Sequence, residues 1–233
     1  MKPELIVMLT LHDQTVANAL EIFEKMKDTP IKHWGFKDVG LHRDQMKKLV
    51  DRMRNAGKTT FLEVVSLSEE DGLVGAKLAV EAGFDILMGT VYFPSIYENL
   101  QDTPVKYYPF PGHVYGHPSI LDGTLEEIVE HAQFLEGQGV RGLDLLTYRY
   151  TGDAPRLLQE VVNKVKIPLV SAGSIASFQR IAEVWEARAW GFTIGSAFFE
   201  KKFIPKGTFR DNVMAVWQWL ESNDEKSMRT QLV

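Results

Sequence analysis

Short apolar runs alternate along the chain with longer segments of helical periodicity. Eight such runs, rich in β-branched and aromatic residues, have the composition of buried strands. They begin at Leu5, His33, Thr59, Asp85, Tyr107, Leu143, Pro168 and Trp190. Neighbouring starts lie about 22 to 36 residues apart, which is close to the length of one strand–helix unit. The pattern therefore predicts eight parallel strands connected by helices.

The intervening segments carry helix signals. Residues 15–27 and 125–135 each place apolar side chains on one stripe, and residues 209–220 do the same near the end of the chain. Thr124 and Glu127 have the spacing of a capping box. Three glycines are expected to turn helix ends back toward the next strand, namely Gly57, Gly83 and Gly137.

Eight strand–helix units predict one α/β domain, a single (β/α)8 TIM barrel over residues 1–222, followed by a polar tail, residues 223–233, that is expected to fray. A doubly wound open sheet is the rival, but no G-x-G-x-x-G follows the first strand. The interval 91–122 contains five prolines and predicts an elaborated loop around strands four and five, with a short helix near 95–100. Such a loop is expected to cover or line the site.

Composition limits the chemistry. The 233 residues include no cysteine, which excludes a disulfide framework, a thiolate metal site and a cysteine nucleophile. The formal net charge of −5 argues against nucleic-acid and membrane partners. No run is long enough for a membrane span, so a cytoplasmic protein is expected. Assembly as a homo-oligomer is also expected.

Small residues end the last two predicted strands, in the segments S-A-G-S-I (171–175) and I-G-S-A (194–197). Backbone N–H groups at such ends can approach an anion closely, and a short helix at 196–199 adds its dipole. The alternative is that these glycines only turn strands into helices.

These paired strand-end motifs resemble those of the ribulose-phosphate-binding superfamily of (β/α)8 barrels, which includes sugar-phosphate epimerases and decarboxylases. The specific resemblance covers the last third of the chain, and Ala172 stands where many members have a second glycine. The resemblance implies a small phosphorylated metabolite as ligand. It assigns phosphate binding to Gly173, Ser174, Gly195 and Ser196.

Polar residues at the other strand ends are the candidates for catalysis, because those ends surround the site of a barrel. Glu63, inside an apolar run, is interpreted as a general base with a raised pKa or as an ion-pair partner of Lys37. Three roles are open for Lys37: it polarises a substrate carbonyl, it forms a Schiff base, or it pairs with a neighbouring carboxylate at the strand edge. Arg149 clamps an anion or is a solvated loop charge.

Three further residues, Thr10, His113 and Tyr148, are expected to line the substrate. His113, His117 and Asp122 also raise the possibility of a metal site, although the surrounding prolines and glycines prevent a regular helix. A Gly/Pro-shaped loop over the site is the preferred interpretation, with His113 as the better contact.

Two acidic residues, Asp13 and Asp144, are given structural interpretations. Asp13 follows His12 after the first strand, where it caps a helix or helps to hold Mg²⁺. No other cofactor is indicated. Asp144 lies early in its strand and is interpreted as a hydrogen-bonding core residue.

The leading hypothesis is an enzyme that acts on a small phosphorylated sugar or keto acid, as an isomerase, an epimerase or a lyase, through an enediolate. One alternative is prenyl transfer, because residues 86–90 and 110–112 resemble parts of the geranylgeranylglyceryl-phosphate synthase family. The other is a non-catalytic regulatory barrel like the glycerol-phosphate-responsive antiterminators. These bind RNA, whereas the one basic cluster here, residues 47–54, has the pattern of a solvated helix face.

Overall fold

The computed structural model describes residues 2–231. Its strands are β1 (Glu4–Met8), β2 (Thr10–Leu11), β3 (Gln14–Thr15), β4 (His33–Lys37), β5 (Thr59–Val64), β6 (Ile86–Val91), β7 (Lys106–Phe110), β8 (His113–Tyr115), β9 (Ile120–Asp122), β10 (Leu143–Leu145), β11 (Leu169–Ser171) and β12 (Gly191–Ile194). Its helices are α1 (Ala19–Met26), α2 (Arg43–Asn55), α3 (Glu69–Ala82), α4 (Pro94–Leu100), α5 (Leu125–Gly137), α6 (Ala154–Lys164), α7 (Phe178–Glu186), α8 (Ser196–Phe199) and α9 (Phe209–Gln231).

Eight of these strands form one parallel sheet in the order β10-β11-β12-β1-β4-β5-β6-β7. A hydrogen bond from Arg141 N to Tyr107 O, 3.1 Å long, joins the chain before β10 to β7 and brings the sheet edges together. The protein is therefore a (β/α)8 TIM barrel, and the predicted fold class is confirmed. All eight predicted strands are present in the barrel.

The strands bury both of their faces. One face of each strand packs against the surrounding helices, which builds the larger core. The other face fills the barrel interior with a separate apolar cluster, comprising Ile6, Met8, Phe61, Ile86, Met88, Tyr108 and Val170. Because side chains alternate along a strand, the residues two positions beyond this interior cluster point into the carboxyl end of the barrel.

Several local predictions differ from the structure. The strand predicted over 143–149 ends at Leu145, and Thr147–Arg149 form a 3-10 turn, so Tyr148 and Arg149 are not strand residues. The helix predicted from residue 15 begins at Ala19, because Gln14–Thr15 pair with Thr10–Leu11. Gly139, not Gly137, has the positive φ after α5.

The loop that follows the fifth barrel strand contains a β-hairpin, formed by β8 and β9. The short helix predicted near 95–100 is present as α4. At the other end of the chain, α9 continues to Gln231, so the described part of the predicted tail is helical rather than frayed; residues 232 and 233 lie outside the described range. Within residues 2–231, no helix is both long and apolar enough to cross a membrane.

We expect Asn212 to be a large single contributor to stability near the chain end. Its fully buried side chain accepts hydrogen bonds from the N–H groups of Phe203 and Ile204 and donates to the carbonyls of Ile204 and Thr208. Asn212→Ala leaves the N–H groups of Phe203 and Ile204 without this acceptor, although both carbonyls keep a backbone donor, and should lower the free energy of unfolding by about 3 kcal/mol in urea titration. Asn223→Ala removes a single bond to Trp219 O and should cost less than about 1 kcal/mol; equal losses would contradict the assignment.

Candidate active site at the carboxyl end of the barrel

A cavity of about 330 Å³ opens at the carboxyl ends of the barrel strands. It is lined by the strand ends of β1, β4 and β5 and by the segments that follow β7, β10, β11 and β12. The predicted site residues that line this cavity are Thr10, Lys37, Glu63, Arg149, Gly173, Ser174, Gly195 and Ser196. The structure thus brings the proposed catalytic and phosphate-binding groups to one place.

A line of alternating charges forms one wall of the cavity. Lys37 Nζ lies 2.8 Å from Asp13 Oδ1 and 3.0 Å from Glu63 Oε1, and Arg149 Nη2 lies 3.3 Å from the same Asp13 oxygen. Lys37 and Glu63 are direct partners in the parallel register of β4 and β5, which is why their side chains meet on the inner face. We call these four residues the ion-pair network.

Asp13 is the member of the ion-pair network for which the sequence interpretation expected a different role, as a helix cap or a Mg²⁺ ligand. It does not cap α1, whose N-cap position is Asn18. His12 and Asp13 are instead the two turn residues between β2 and β3, both with positive φ, as a tight two-residue hairpin requires. The turn places the Asp13 carboxylate between Lys37 and Arg149.

This placement also bears on Mg²⁺. Two cations already contact the Asp13 carboxylate, and a divalent ion beside it would be repelled by both. Across the described residues, no group of three His, Asp or Glu side chains comes together in a way that could hold a metal ion. The residues present at the Asp13 turn therefore do not fit Mg²⁺.

The network fixes the charge states of two of its members. Burial lowers the pKa of Lys37, but the negative charge of Glu63 and the hydrogen bond to Asp13 outweigh burial, and the pKa is raised. Burial raises the pKa of Asp13, but Lys37 and Arg149 outweigh it, and that pKa is lowered. Lys37 is therefore an ammonium ion that faces the cavity, and Asp13 is a carboxylate.

The turns after β11 and β12 also line the cavity, and the first of them packs against Arg149 of the ion-pair network. Gly173 and Ser174 both have positive φ, 79° and 56°, and a Cβ on Gly173 would lie 2.9 Å from Arg149 Cγ. A Cβ on Gly195 would lie 2.3 Å from Thr10 Oγ1, so a larger residue there would force Thr10 to move. We call Gly173, Ser174, Gly195 and Ser196 the backbone cradle. Its geometry suits close approach of an anion to main-chain N–H groups.

Arg180 is a residue that the sequence interpretation missed. It lies in the first turn of α7, lines the cavity, and donates a hydrogen bond to Ser174 O. A positive charge thus stands beside the backbone cradle. The available signal was its place in the helix after the seventh strand, since the first turns of such helices face the carboxyl end of a barrel.

Tyr148 lies outside the cavity lining, contrary to the expectation. Its hydroxyl is 2.7 Å from Glu183 Oε2, and the Arg180 guanidinium carbon lies 4.7 Å from its ring centroid. Burial raises the pKa of Tyr148, so it stays a neutral phenol. Its observed contact with the site is through Arg180, because the 3-10 turn directs the ring toward α7.

The hairpin of β8 and β9 contributes His117 and Ser119 to the cavity rather than His113. His113 is exposed and its ring lies 5.4 Å from that of Tyr115. The loop between the two hairpin strands turns over the barrel end, and Arg149 Nη1 lies 3.5 Å from Ser119 O. The better-placed histidine is therefore His117.

No family model and no curated protein matches this sequence. Solved structures do match. KDPGal aldolase aligns with a TM-score of 0.66 over 98% of both chains at 13% identity. Orotidine 5'-phosphate decarboxylase from Pyrococcus horikoshii gives 0.64 over 91% of this chain and 98% of that one at 11% identity. N-acetylmannosamine-6-phosphate 2-epimerase from Clostridium perfringens gives 0.61 over 83% and 86% at 13% identity.

These likenesses establish the class at the level of the fold. The chain has the (β/α)8 fold of these three proteins, so the fold that the strand-end motifs implied is confirmed. It shares that fold with phosphosugar and keto-acid enzymes.

Proposed function

We propose that this protein is an enzyme that acts on a small phosphorylated sugar or keto acid, as an isomerase, an epimerase or a lyase, through an enediolate. One observation carries the proposal: the backbone cradle, Lys37 and Glu63 all line a single cavity. A metabolite whose phosphate occupies the cradle would extend its carbon atoms toward the ion-pair network.

The chemistry follows from the charges. The Lys37 ammonium donates a hydrogen bond to the substrate carbonyl oxygen, which stabilises the negative charge that develops there. The Glu63 carboxylate takes a proton from the adjacent carbon, so the C–H bond breaks and an enediolate with a protonated Glu63 results. The hydroxyl proton of the enediolate then passes to the former carbonyl oxygen, and Glu63 returns its proton to the former carbonyl carbon, which completes an isomerisation. In a lyase, Glu63 instead takes the proton of the hydroxyl group on the β-carbon, and the bond between the α- and β-carbons breaks. The β-carbon leaves as an aldehyde or ketone, and the electron pair of the broken bond forms the enediolate that Lys37 stabilises.

The protonation state of Lys37 distinguishes two forms of the lyase hypothesis, one in which Lys37 forms a Schiff base and one in which it polarises the carbonyl. A Schiff base requires a neutral amine as nucleophile, whereas the two neighbouring carboxylates raise the pKa of Lys37 and keep it protonated. Carbonyl polarisation is therefore the favoured role. Borohydride treatment in the presence of substrate should give no adduct at Lys37, and a reduced adduct detected there by mass spectrometry would overturn this role.

The cavity also favours a short polar ligand over the alternatives. At about 330 Å³ it lies at the small end of ligand pockets, and charged groups line it, so a long prenyl chain is a poor fit. The basic side chains on α2 do not favour RNA binding either, because Arg52 is paired with Glu24 and Lys47 lies near Asp51.

Proton exchange in D₂O tests the proposal without knowledge of the product. We expect the protein to exchange a carbon-bound proton of at least one member of a panel of triose to hexose phosphates and phosphorylated keto acids, followed by NMR. Glu63→Gln should slow this exchange by about 10³-fold, because it removes the base. The exposed Glu130→Gln is the matched control and should leave exchange unchanged. No exchange with any member of the panel would contradict the proposal.

A further inference from the structure

Asp144 is a carboxyl group enclosed inside the barrel. It lies on β10 opposite Val170, a member of the interior cluster, and has no exposed surface. Its Oδ2 accepts a hydrogen bond of 3.1 Å from Gly89 N, and its Oδ1 has no partner among the described residues. A charged carboxylate in such a place would be very costly, so its protonation state needs an explanation.

The Gly89 N–H reaches Asp144 because β6 is irregular at this point. Gly89 and Thr90 both have positive φ, and the pairing of β6 with β7 shifts register between Met88 and Val91. The same glycine packs against the base, since a Cβ on Gly89 would lie 3.2 Å from Glu63 Cγ. Asp144 and Glu63 are therefore neighbours on either side of one peptide.

The charged groups that act on Asp144 lie on β4 and β5 and in the turn after β10. Glu63 on β5 is negative, and Lys37 on β4 and Arg149 after β10 are positive. Tyr108 of the interior cluster stays neutral, because burial raises its pKa to about 12. Burial first, and then the charge of Glu63, raise the pKa of Asp144 well above the usual range of a carboxyl. The Gly89 N–H, Lys37 and Arg149 act in the opposite direction but do not prevail.

The protonation state of Asp144 affects the net charge of the ion-pair network beside it. The ion-pair network contains two positive groups, Lys37 and Arg149, and two negative ones, Asp13 and Glu63, and is neutral as a whole. A negative charge on Asp144 would make this part of the site anionic and would oppose both phosphate binding and the formation of an enediolate.

We propose that Asp144 is a positioning residue that stays uncharged and thereby keeps the ion-pair network neutral, so that the cavity accepts an anionic substrate. Asp144 does not line the cavity and so acts through Glu63 and the network. The inference rests on the proposed function for its statement about substrate, but the protonation of Asp144 can be measured without any substrate.

The first arm of the test is NMR of carbon-13-labelled carboxyl groups in the whole chain. The Asp144 signal, assigned by its loss in Asp144→Asn or by through-bond experiments if that variant does not fold, should report a protonated carboxyl at neutral pH.

A group whose pKa is raised in the folded state stabilises the fold below its unfolded pKa, and this stabilisation is lost as pH rises through the folded pKa. As pH rises from about 4, the unfolded pKa of Asp, to the folded pKa that NMR reports, Asp144→Asn should therefore lose less thermal stability than the wild type, whereas exposed Asp51→Asn should follow the wild type. An ionised Asp144 at neutral pH overturns the inference.

The second arm measures sulfate binding by calorimetry, because sulfate keeps its charge across this pH range. From about pH 7.5 upward, wild type and Asp144→Asn should bind sulfate with affinities within twofold of each other for as long as NMR shows Asp144 to be protonated. Wild-type affinity alone should fall, by about tenfold, over the pH range in which NMR shows Asp144 ionising. Affinity about tenfold higher in Asp144→Asn at pH 7.5, or an equal alkaline fall in both proteins, overturns the role in charge balance. If neither protein binds sulfate at any pH, the proposed function fails, whereas the NMR result stands on its own.

Discussion

Replacing Lys37 with methionine should reduce kcat by about a thousandfold and lower the free energy of unfolding by about 3 kcal/mol. The side chain is only 10% exposed, and its ammonium group contacts two carboxylates whose own side chains are 14% and 16% exposed. Methionine keeps much of the volume but leaves both negative charges without their shared cation. The loss of kcat follows because nothing else in the described cavity replaces the ammonium group at the position of the substrate carbonyl.

The two effects of this substitution can be separated. Adding Glu63→Gln to Lys37→Met removes one uncompensated charge and should restore about half of the lost stability, whereas activity should stay lost. Lys25→Met, in a highly exposed pair with Glu21, should change stability by less than about 0.5 kcal/mol. If Lys37→Met retained wild-type kcat, the assigned role of Lys37 would be wrong.

Gly173→Ala should raise KM for a phosphorylated substrate by at least tenfold with a much smaller change in kcat. Gly173 has φ of 79°, and the added Cβ would press on the Arg149 side chain at 2.9 Å from Cγ, so the turn that forms half of the backbone cradle must shift. A phosphate is a non-reacting handle, and displacing its binding groups is expected to affect binding more than chemistry.

Gly57→Ala is the matched control for backbone strain. Gly57 has a similar φ of 70°, but nothing lies within 4 Å of the position its Cβ would occupy, and it is far in sequence from the cradle. Both variants should lose about 1 kcal/mol of stability from the left-handed conformation, measured by chemical denaturation. Only Gly173→Ala should change KM; equal KM values in the two variants would show that the cradle does not hold the phosphate.

The barrel was predictable because its signal is local and repeated. Each strand carries its own apolar run, and the spacing of the runs matches a strand–helix unit, so eight independent observations agree on one fold. Strand ends were less predictable. Leu146 to Arg149 continue the apolar and aromatic pattern of β10, yet Thr147–Arg149 turn into a 3-10 helix where the chain leaves the sheet.

The site was predictable only where it lies on strand ends. Lys37 and Glu63 project from the inner faces of neighbouring strands, and an ion pair between them was one of the two interpretations of Glu63, because a carboxylate in an apolar run needs a partner. Asp13 contacts Lys37 and Arg149 across 24 and 136 positions of sequence, and only the folded turn between β2 and β3 brings them together. Arg180 and His117 reach the cavity through the placement of a helix and a hairpin; the position of Arg180 after the seventh strand was a usable signal, whereas no local pattern favours His117 over His113.

Crystallography of the protein with inorganic phosphate tests the central claim most directly. We predict phosphate density between the Gly173–Ser174 and Gly195–Ser196 turns, with main-chain N–H groups directed at it and the Arg180 guanidinium nearby. Density at another site, with the cradle left empty at a phosphate concentration that saturates binding in solution, would contradict the claim.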